Sequence, residues 1–198
     1  MSEVLDTPSS EAILGQRIRA LRVGKGWTLE QTGQASGLAR STLSKIENGQ
    51  MSPTYDALIK LAGGLQIDLS ELFATAPKPM GAGRRSICRN NAGLRHDTPY
   101  YKHMLLCNDL SNKDMVPFKT TISARAFGDF EDWSRHAGEE FVYVLSGKVK
   151  LFTEYYEPEE LAPGDSFYID SRMGHRVISV SAQDAEVLWV STTHPRIL

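Results

Sequence analysis

The period of the hydrophobic pattern changes once along this chain, and that change limits the folds open to it. Between Ile13 and Phe73 the apolar residues recur at helical spacing, as Leu14, Ile18 and Leu21 do; from Lys119 onward they alternate as strands require. A helical module followed by a β module is expected, and a length of 198 residues allows two small domains. The expected division is a flexible N-terminus over 1–12, a helical domain over 13–76, a basic linker over 77–98 and a β domain over 99–198. Residues 77–95 of this linker carry Lys78, Arg84, Arg85, Arg89 and Arg95 with no acid, which suits a solvated connection or one lying beside a polyanion.

Composition narrows the class without naming a partner. A hydrophobic fraction of 41% with 16 Gly and 9 Pro is ordinary for a globular chain and excludes collagen-like, fibrous or wholly disordered classes. With 22 Lys+Arg against 24 Asp+Glu, global charge selects no ligand. No stretch approaches the roughly 18 consecutive apolar residues of a membrane span, and the start MSEVLDTPSSEA lacks the cationic and apolar regions of a secretion signal. A cytoplasmic protein with no membrane partner is expected. Cys88 and Cys107 form no CxxC pair and read as buried or idle thiols.

Helix ends are legible in the first half. Thr28 with Gln31 forms a capping-box signature, Asp68 with Glu71 resembles another, and Thr54 or Ser52 can cap the helix that holds Leu58, Leu61 and Leu65. TLEQTGQASGLARSTLSKIENG then reads as a helix, a tight turn at Gly37, a second helix and a stop at Asn48 and Gly49, which is the helix-turn-helix pattern. Five short helices are expected around a core that includes Leu14, Ile18, Leu21, Leu29, Leu38, Leu43, Ile46, Leu58, Leu61 and Leu72.

Over about sixty residues this segment resembles the XRE family, the Cro and phage-repressor type of helix-turn-helix domain. The resemblance implies that the helix carrying Arg40 to Ile46 enters the major groove of double-stranded DNA, with Arg40, Ser41, Thr42, Ser44 and Lys45 reading bases or nearby phosphates. Their chemistry agrees: an arginine fork matches guanine O6 and N7, hydroxyls serve several bases, and the Thr42 methyl can meet thymine. Thr28, with the backbone N–H groups of the helix it caps, and Asn48 would hold phosphates and fix register. The family pattern also implies a structural ion pair between Arg22 and Glu47. Between Ile13 and Lys60, seven basic residues (Arg17, Arg19, Arg22, Lys25, Arg40, Lys45, Lys60) face three acids (Glu30, Glu47, Asp56), the local excess that phosphate neutralisation needs. Three positions depart from the family: Ala39 replaces the usual Ser or Thr cap, Thr32 a Leu and Gly33 an Ala. A missing cap costs about 1 kcal/mol and a helix-interior Gly somewhat less.

In the second half, KTTISARAF, FVYVLSGKVKLFTEYY, SFYI, HRVISV and EVLWVST read as short strands between turns. Ser146 and Gly147 break the second run and suggest a hairpin, with Glu140, Val142 and Val144 on one face and Phe141, Tyr143 and Leu145 on the other. RHAGEEFVYVLSGKVKL and LAPGDSFYIDSRMGHRV resemble the two motifs of the cupin superfamily, which implies a small jelly-roll β-barrel. His136, Glu140, Gly147, Gly164 and His175 match the family pattern. Ser134 stands where the first His is usual, Asp170 and Arg172 where Pro and Gly are, and Ser179 where Asn is.

The missing ligand leaves His136, Glu140 and His175, a two-His, one-carboxylate set that elsewhere holds zinc or iron with open positions. Three readings stay open: one divalent metal per chain (zinc, iron or nickel), an organic effector in a metal-free barrel, or a structural barrel in which the three are hydrogen-bonded core residues. A barrel pocket of this kind combines apolar walls with a few polar groups. Trp133, Tyr143, Phe167, Tyr168 and Trp189 are candidates for its wall and rim, with Arg125 for an acidic ligand and Asp170 for a basic one. His96, His103 and His194 lie outside the motifs and are taken as ordinary.

The fold class expected is thus multidomain, α then β: a five-helix Cro/repressor-like helix-turn-helix domain followed by a cupin barrel. The function that uses both halves is a one-component transcriptional regulator, a repressor rather than an enzyme. Its barrel would sense a small-molecule effector and form a homodimer on a palindromic operator with half-sites about one helical turn apart. The alternatives are a cupin-type metalloenzyme, a dioxygenase or isomerase, with a DNA-tethering domain, and a protein-docking adaptor.

Overall fold

The computed structural model describes residues 10–67, 69–73, 83–90, 92–110 and 113–192. Among these residues four α-helices come first: α1 (Ser10–Gly24), α2 (Leu29–Ser36), α3 (Arg40–Glu47) and α4 (Tyr55–Leu65). Thr28 opens α2 through a reciprocal capping box, the Gln31 amide donating to Thr28 Oγ1 at 3.2 Å and the Thr28 amide to Gln31 Oε1 at 2.8 Å. Gly37 ends the helix in the left-handed region, with φ 69°. Thr54 caps α4, receiving the Ala57 amide at 3.2 Å, whereas the Ser52 hydroxyl donates to the Asp97 carbonyl of the β domain at 2.8 Å.

In place of the expected fifth helix stands one 3-10 turn, Leu69–Leu72, four residues long and too short for an α-helical hydrogen-bond ladder. Asp68, expected to cap it, lies outside the described residues, as do Lys78, His194 and residues 1–9 of the expected flexible N-terminus. Ile18, Leu43, Ile46, Leu58, Leu61, Leu65, Leu69 and Leu72 form the helical core, with Leu21, Leu29 and Leu38 half-buried at its margin. Arg22 clasps Glu47 with two hydrogen bonds, 2.6 and 2.8 Å long, and donates a third to the Trp27 carbonyl, so the ion pair ties α1 to the end of α3.

The helices approach closely enough for backbone to meet backbone. A Cβ on Gly15 would lie 2.3 Å from the Ile46 carbonyl oxygen, and one on Gly64 would lie 2.7 Å from the Ser36 backbone. Gly33 has the same reason to be Gly: a Cβ there would stand 2.8 Å from the Leu38 carbonyl oxygen, at the turn before α3.

Among the described residues nine strands follow: β1 (Leu94–Asp97), β2 (Tyr101–Leu105), β3 (Met115–Ile122), β4 (Glu139–Ser146), β5 (Val149–Thr153), β6 (Tyr156–Leu161), β7 (Ser166–Asp170), β8 (His175–Ser179) and β9 (Ala185–Thr192). They form a six-stranded sheet in the order β1-β2-β3-β9-β4-β7 and a three-stranded sheet in the order β6-β5-β8. Val116, Phe118, Ile122, Val142, Val144, Val187 and Trp189 of the larger sheet share one core with Val149 and Val177 of the smaller. Among the described residues the hydrogen bonding leaves two facing sheets rather than one continuous barrel.

Several expectations need correction. No hairpin joins β4 to β5, because the chain crosses there from one sheet to the other. Gly147, with φ 74°, makes the corner, and a Cβ on it would meet Ser181 and Ala185 at 2.8 and 2.9 Å. The hairpin lies one strand later, between β5 and β6. β6 itself, YEPEEL, escaped the sequence reading because it is polar, almost wholly exposed and interrupted by Pro158, as an edge strand tolerates. Residues 94–97 of the expected linker belong to β1. Cys88 and Cys107 are free thiols, half-buried rather than buried. No helix among the described residues is long and apolar enough to cross a membrane.

Gly33→Ala improves helix propensity by just under 1 kcal/mol yet forces the Leu38 carbonyl to move, and overpacking of this kind costs about 1–3 kcal/mol. Net destabilisation of about 1 kcal/mol is expected in urea unfolding, opposite in sign to the propensity argument alone.

Candidate functional site

The outer face of the helical domain carries the first constellation. Along α3, Leu43, Ile46 and Glu47 turn inward, whereas Arg40, Ser41 and Lys45 are exposed and Thr42 and Ser44 half-exposed. Ala39 supplies no side-chain cap, so the first turn of α3 is open to an external acceptor. Thr28 and Asn48 flank this face and are exposed. The capping box already consumes the Thr28 and Gln31 amides, so a phosphate at α2 would be left with the donors between them. Arg22 and Lys60 are neutralised by Glu47 and Asp56, leaving Arg17, Arg19, Lys25, Arg40 and Lys45 to dominate the local field.

The second constellation lies between the sheets. His136, Glu140 and His175 are buried, and one ligating atom of each lies within 4.8 Å of the others. Glu140 Oε1 is 3.1 Å from His136 Nε2, and Oε2 is 3.4 Å from His175 Nε2. Ser191 Oγ donates to Oε1 at 2.9 Å and orients the carboxylate. His136 Nδ1 donates to the Ala137 carbonyl at 3.1 Å and His175 Nδ1 to the Met173 carbonyl at 2.9 Å. A carbonyl only accepts, so each Nδ1 carries hydrogen and each neutral ring presents an Nε2 lone pair toward the carboxylate. Three acceptors thus converge, and only a proton or a cation reconciles them. This donor set, with its Nδ1 atoms held by outer hydrogen bonds, fits zinc or iron.

The electrostatics carry the same signature. Burial opposes charge on His136, but its hydrogen bond to Glu140 and the carboxylate's charge hold its pKa above the usual histidine value. Burial would raise Glu140, yet His136 and His175 hold it below the usual carboxylate value, while burial holds His175 down. Ser134 takes no part in the triad; its backbone pairs with His175 by hydrogen bonds of 3.2 and 3.1 Å.

The expected pocket residues do not converge. Register places Phe167 and Trp189 opposite Val142, on the buried side with Glu140. Tyr143, Tyr168 and Asp170 lie on the other face; Tyr168 and Asp170 line an outer groove with Tyr156 and Met173, and Asp170 pairs with Arg172. Arg125 is exposed and tied to Asp184, Ser179 and the Ser181 carbonyl. Trp133 is half-buried, edge-on to Phe127 at 4.8 Å.

Beside Phe167 and Trp189 the interior holds His103, expected to be ordinary, and Tyr55, for which no role was expected. His103 on β2 is buried, with Nδ1 2.9 Å from Thr120 Oγ1, and its ring packs edge-on against Phe118. Tyr55 of α4 lies against Phe118, His103 and His136 with centroids 4.9, 5.9 and 5.9 Å away. The alternation of Tyr101, His103 and Leu105 was the available signal for β2; nothing in the helical pattern foretold Tyr55.

Burial, reinforced by His96, lowers the His103 pKa from 6.5 to about 3. Its contribution to stability is therefore full above 6.5 and is lost as pH falls toward that lowered value. In urea titrations between pH 6.5 and about 4, His103→Gln is expected to lose unfolding free energy less steeply than wild type.

Two family models match the chain, helix-turn-helix over residues 18–72 and cupin domain over residues 126–191. The HTH-type transcriptional regulator PuuR of Escherichia coli (strain K12) is 25% identical over 179 residues, covering 90% of this chain and 94% of that protein. The HTH-type transcriptional regulator SlrR of Bacillus subtilis (strain 168) is 39% identical over 62 residues, 31% of this chain and 41% of that protein. The crystal structure of an HTH_3 family transcriptional regulator from Vibrio cholerae shares the fold at a TM-score of 0.65 and 24% identity, covering 94% of this chain and 97% of that one. With its exposed α3 and its buried His-Glu-His group, the chain joins a helix-turn-helix domain of the XRE type to a cupin domain.

Proposed function

We propose that this protein is a one-component transcriptional regulator, a cytoplasmic repressor that binds DNA as a homodimer and senses a small molecule in its cupin domain. The observation that carries the DNA half is α3, exposed along Arg40, Ser41 and Lys45, uncapped at its start and backed by a local cationic excess. A single small head buries too little surface for strong specific binding, so two heads on a palindromic operator supply the rest. The relatives named as HTH-type transcriptional regulators support the same assignment.

The triad supports an effector site at one divalent metal per chain, zinc, iron or nickel. His136, Glu140 and His175 would hold the ion and leave positions for a ligand or water. When bound, the metal would supply a Lewis acid able to take an oxygen or nitrogen donor of the effector. The same two-His, one-carboxylate set favours a second reading, a metalloenzyme of the dioxygenase or isomerase kind with the helical domain as a tether. Oxygen consumption and isomerisation, both followed across a small-molecule panel, separate the two: turnover of either kind supports the enzyme and the absence of both the sensor.

Selection from randomised duplexes is expected to yield a palindrome. On that operator Arg40→Ala should cost about 1–3 kcal/mol and relax specificity at one base position, whereas Lys45→Ala should reduce the salt dependence of binding if it meets phosphate. Unchanged affinity of Arg40→Ala would remove it from the reading surface. Elemental analysis of untagged protein purified without chelator should give close to one metal ion per chain, lost in Glu140→Ala.

A further inference from the structure

We propose that the ligand site is built by both domains: Tyr55, the first residue of α4, forms its wall, so that whatever the triad holds touches the DNA-binding head directly. The inference rests on the triad being a ligand site, as proposed above. Tyr55 stands edge-on to His136, with an interplanar angle of 82° and centroids 5.9 Å apart, and packs on Phe118 at 4.9 Å. Its phenolic oxygen is buried although the residue belongs to the helical domain.

The segment that delivers Tyr55 is fixed to the β domain. The buried His96 ring places Nε2 2.6 Å from the Pro53 carbonyl, and Ser52 Oγ donates to the Asp97 carbonyl at 2.8 Å. Asp56, the next residue along α4, lies close enough to Arg176 of β8 for its charge to be felt there. The head therefore meets the β domain through residues 52–56, which directly follow the recognition helix α3 and its stop at Asn48 and Gly49.

A second group at the same place points to a ligand. His103 Nε2 is buried with no hydrogen-bond partner among the described residues, while its ring faces Tyr55 at 5.9 Å. Native interiors leave few such atoms, because each unsatisfied one is costly. A small molecule with an oxygen or hydroxyl group, seated under Tyr55 beside the triad, would satisfy it. Such a ligand contacts α4, and because only differential contact shifts an equilibrium, this is where occupancy would change the position of α3.

Cobalt(II) alone serves as the probe, with the full chain and amide hydrogen exchange as the readout. One equivalent is expected to slow exchange of residues 52–60 by about twofold or more in wild type, and to do so in Tyr55→Phe, which keeps the ring. In Tyr55→Ala, cobalt should still bind and slow residues 134–140, but leave 52–60 unchanged. Cobalt that slows 134–140 and not 52–60 in wild type would overturn the shared site while leaving the triad a metal site. No cobalt binding would overturn the triad reading and this inference with it. The wild-type and Tyr55→Phe results decide the matter even where Tyr55→Ala does not fold.

Discussion

Two imidazoles and a carboxylate buried in one place pose an electrostatic problem that the surrounding structure is arranged to contain. Ala137 and Met173 hold the two Nδ1 hydrogens, and Ser191 steadies the carboxylate. The Nε2 atoms of His136 and His175 then face Glu140. Burial makes each group sensitive to the others, because charge is poorly solvated there. Glu140 on β4, His175 on β8, Ser191 on β9 and His136 just before β4 draw on both sheets, so a cation at their meeting point would also brace the sandwich.

The helical domain depends on a different constraint, the clasp between Arg22 and Glu47. It fixes the end of α3 against α1 and leaves the start of α3 uncapped and outward. The residues that face solvent there are polar and cationic because they contribute nothing to the core. Those facing inward are Leu43 and Ile46, and Gly33 leaves the room that the turn at Leu38 needs. The α3 surface is thus held in shape from behind by groups that never meet DNA.

Local signals carried the head and the triad. The capping box at Thr28, the turn at Gly37 and the i, i+4 spacing of the leucines are short-range features, so four helices and the orientation of α3 could be read from them. His136, Glu140 and His175 were legible through motif resemblance, and the parity of β4 put Glu140 with Val142 and Val144 correctly. The same parity excludes Tyr143 from that interior, a consequence the pocket assignment ignored; Tyr168 and Asp170 fail for the same reason. What could not be read was non-local. The crossing at Gly147 depends on which sheet β5 joins, and the approach of Tyr55 and His96 depends on how two domains meet, which no sequence period encodes.

The glycine contacts between helices bear on how the head can move. Where Gly15 meets the Ile46 carbonyl and Gly64 meets the Ser36 backbone, no side chain lies between the two main chains to change rotamer and absorb a displacement. A push of an ångström at the start of α4 would pass with little damping into α2 and from α2 into α3, with α1 carried along by its own contact to α3. The four helices would then act as a single lever hinged at residues 52–56, and a small shift at the hinge would sweep Arg40 and Lys45 through a larger arc at the far side.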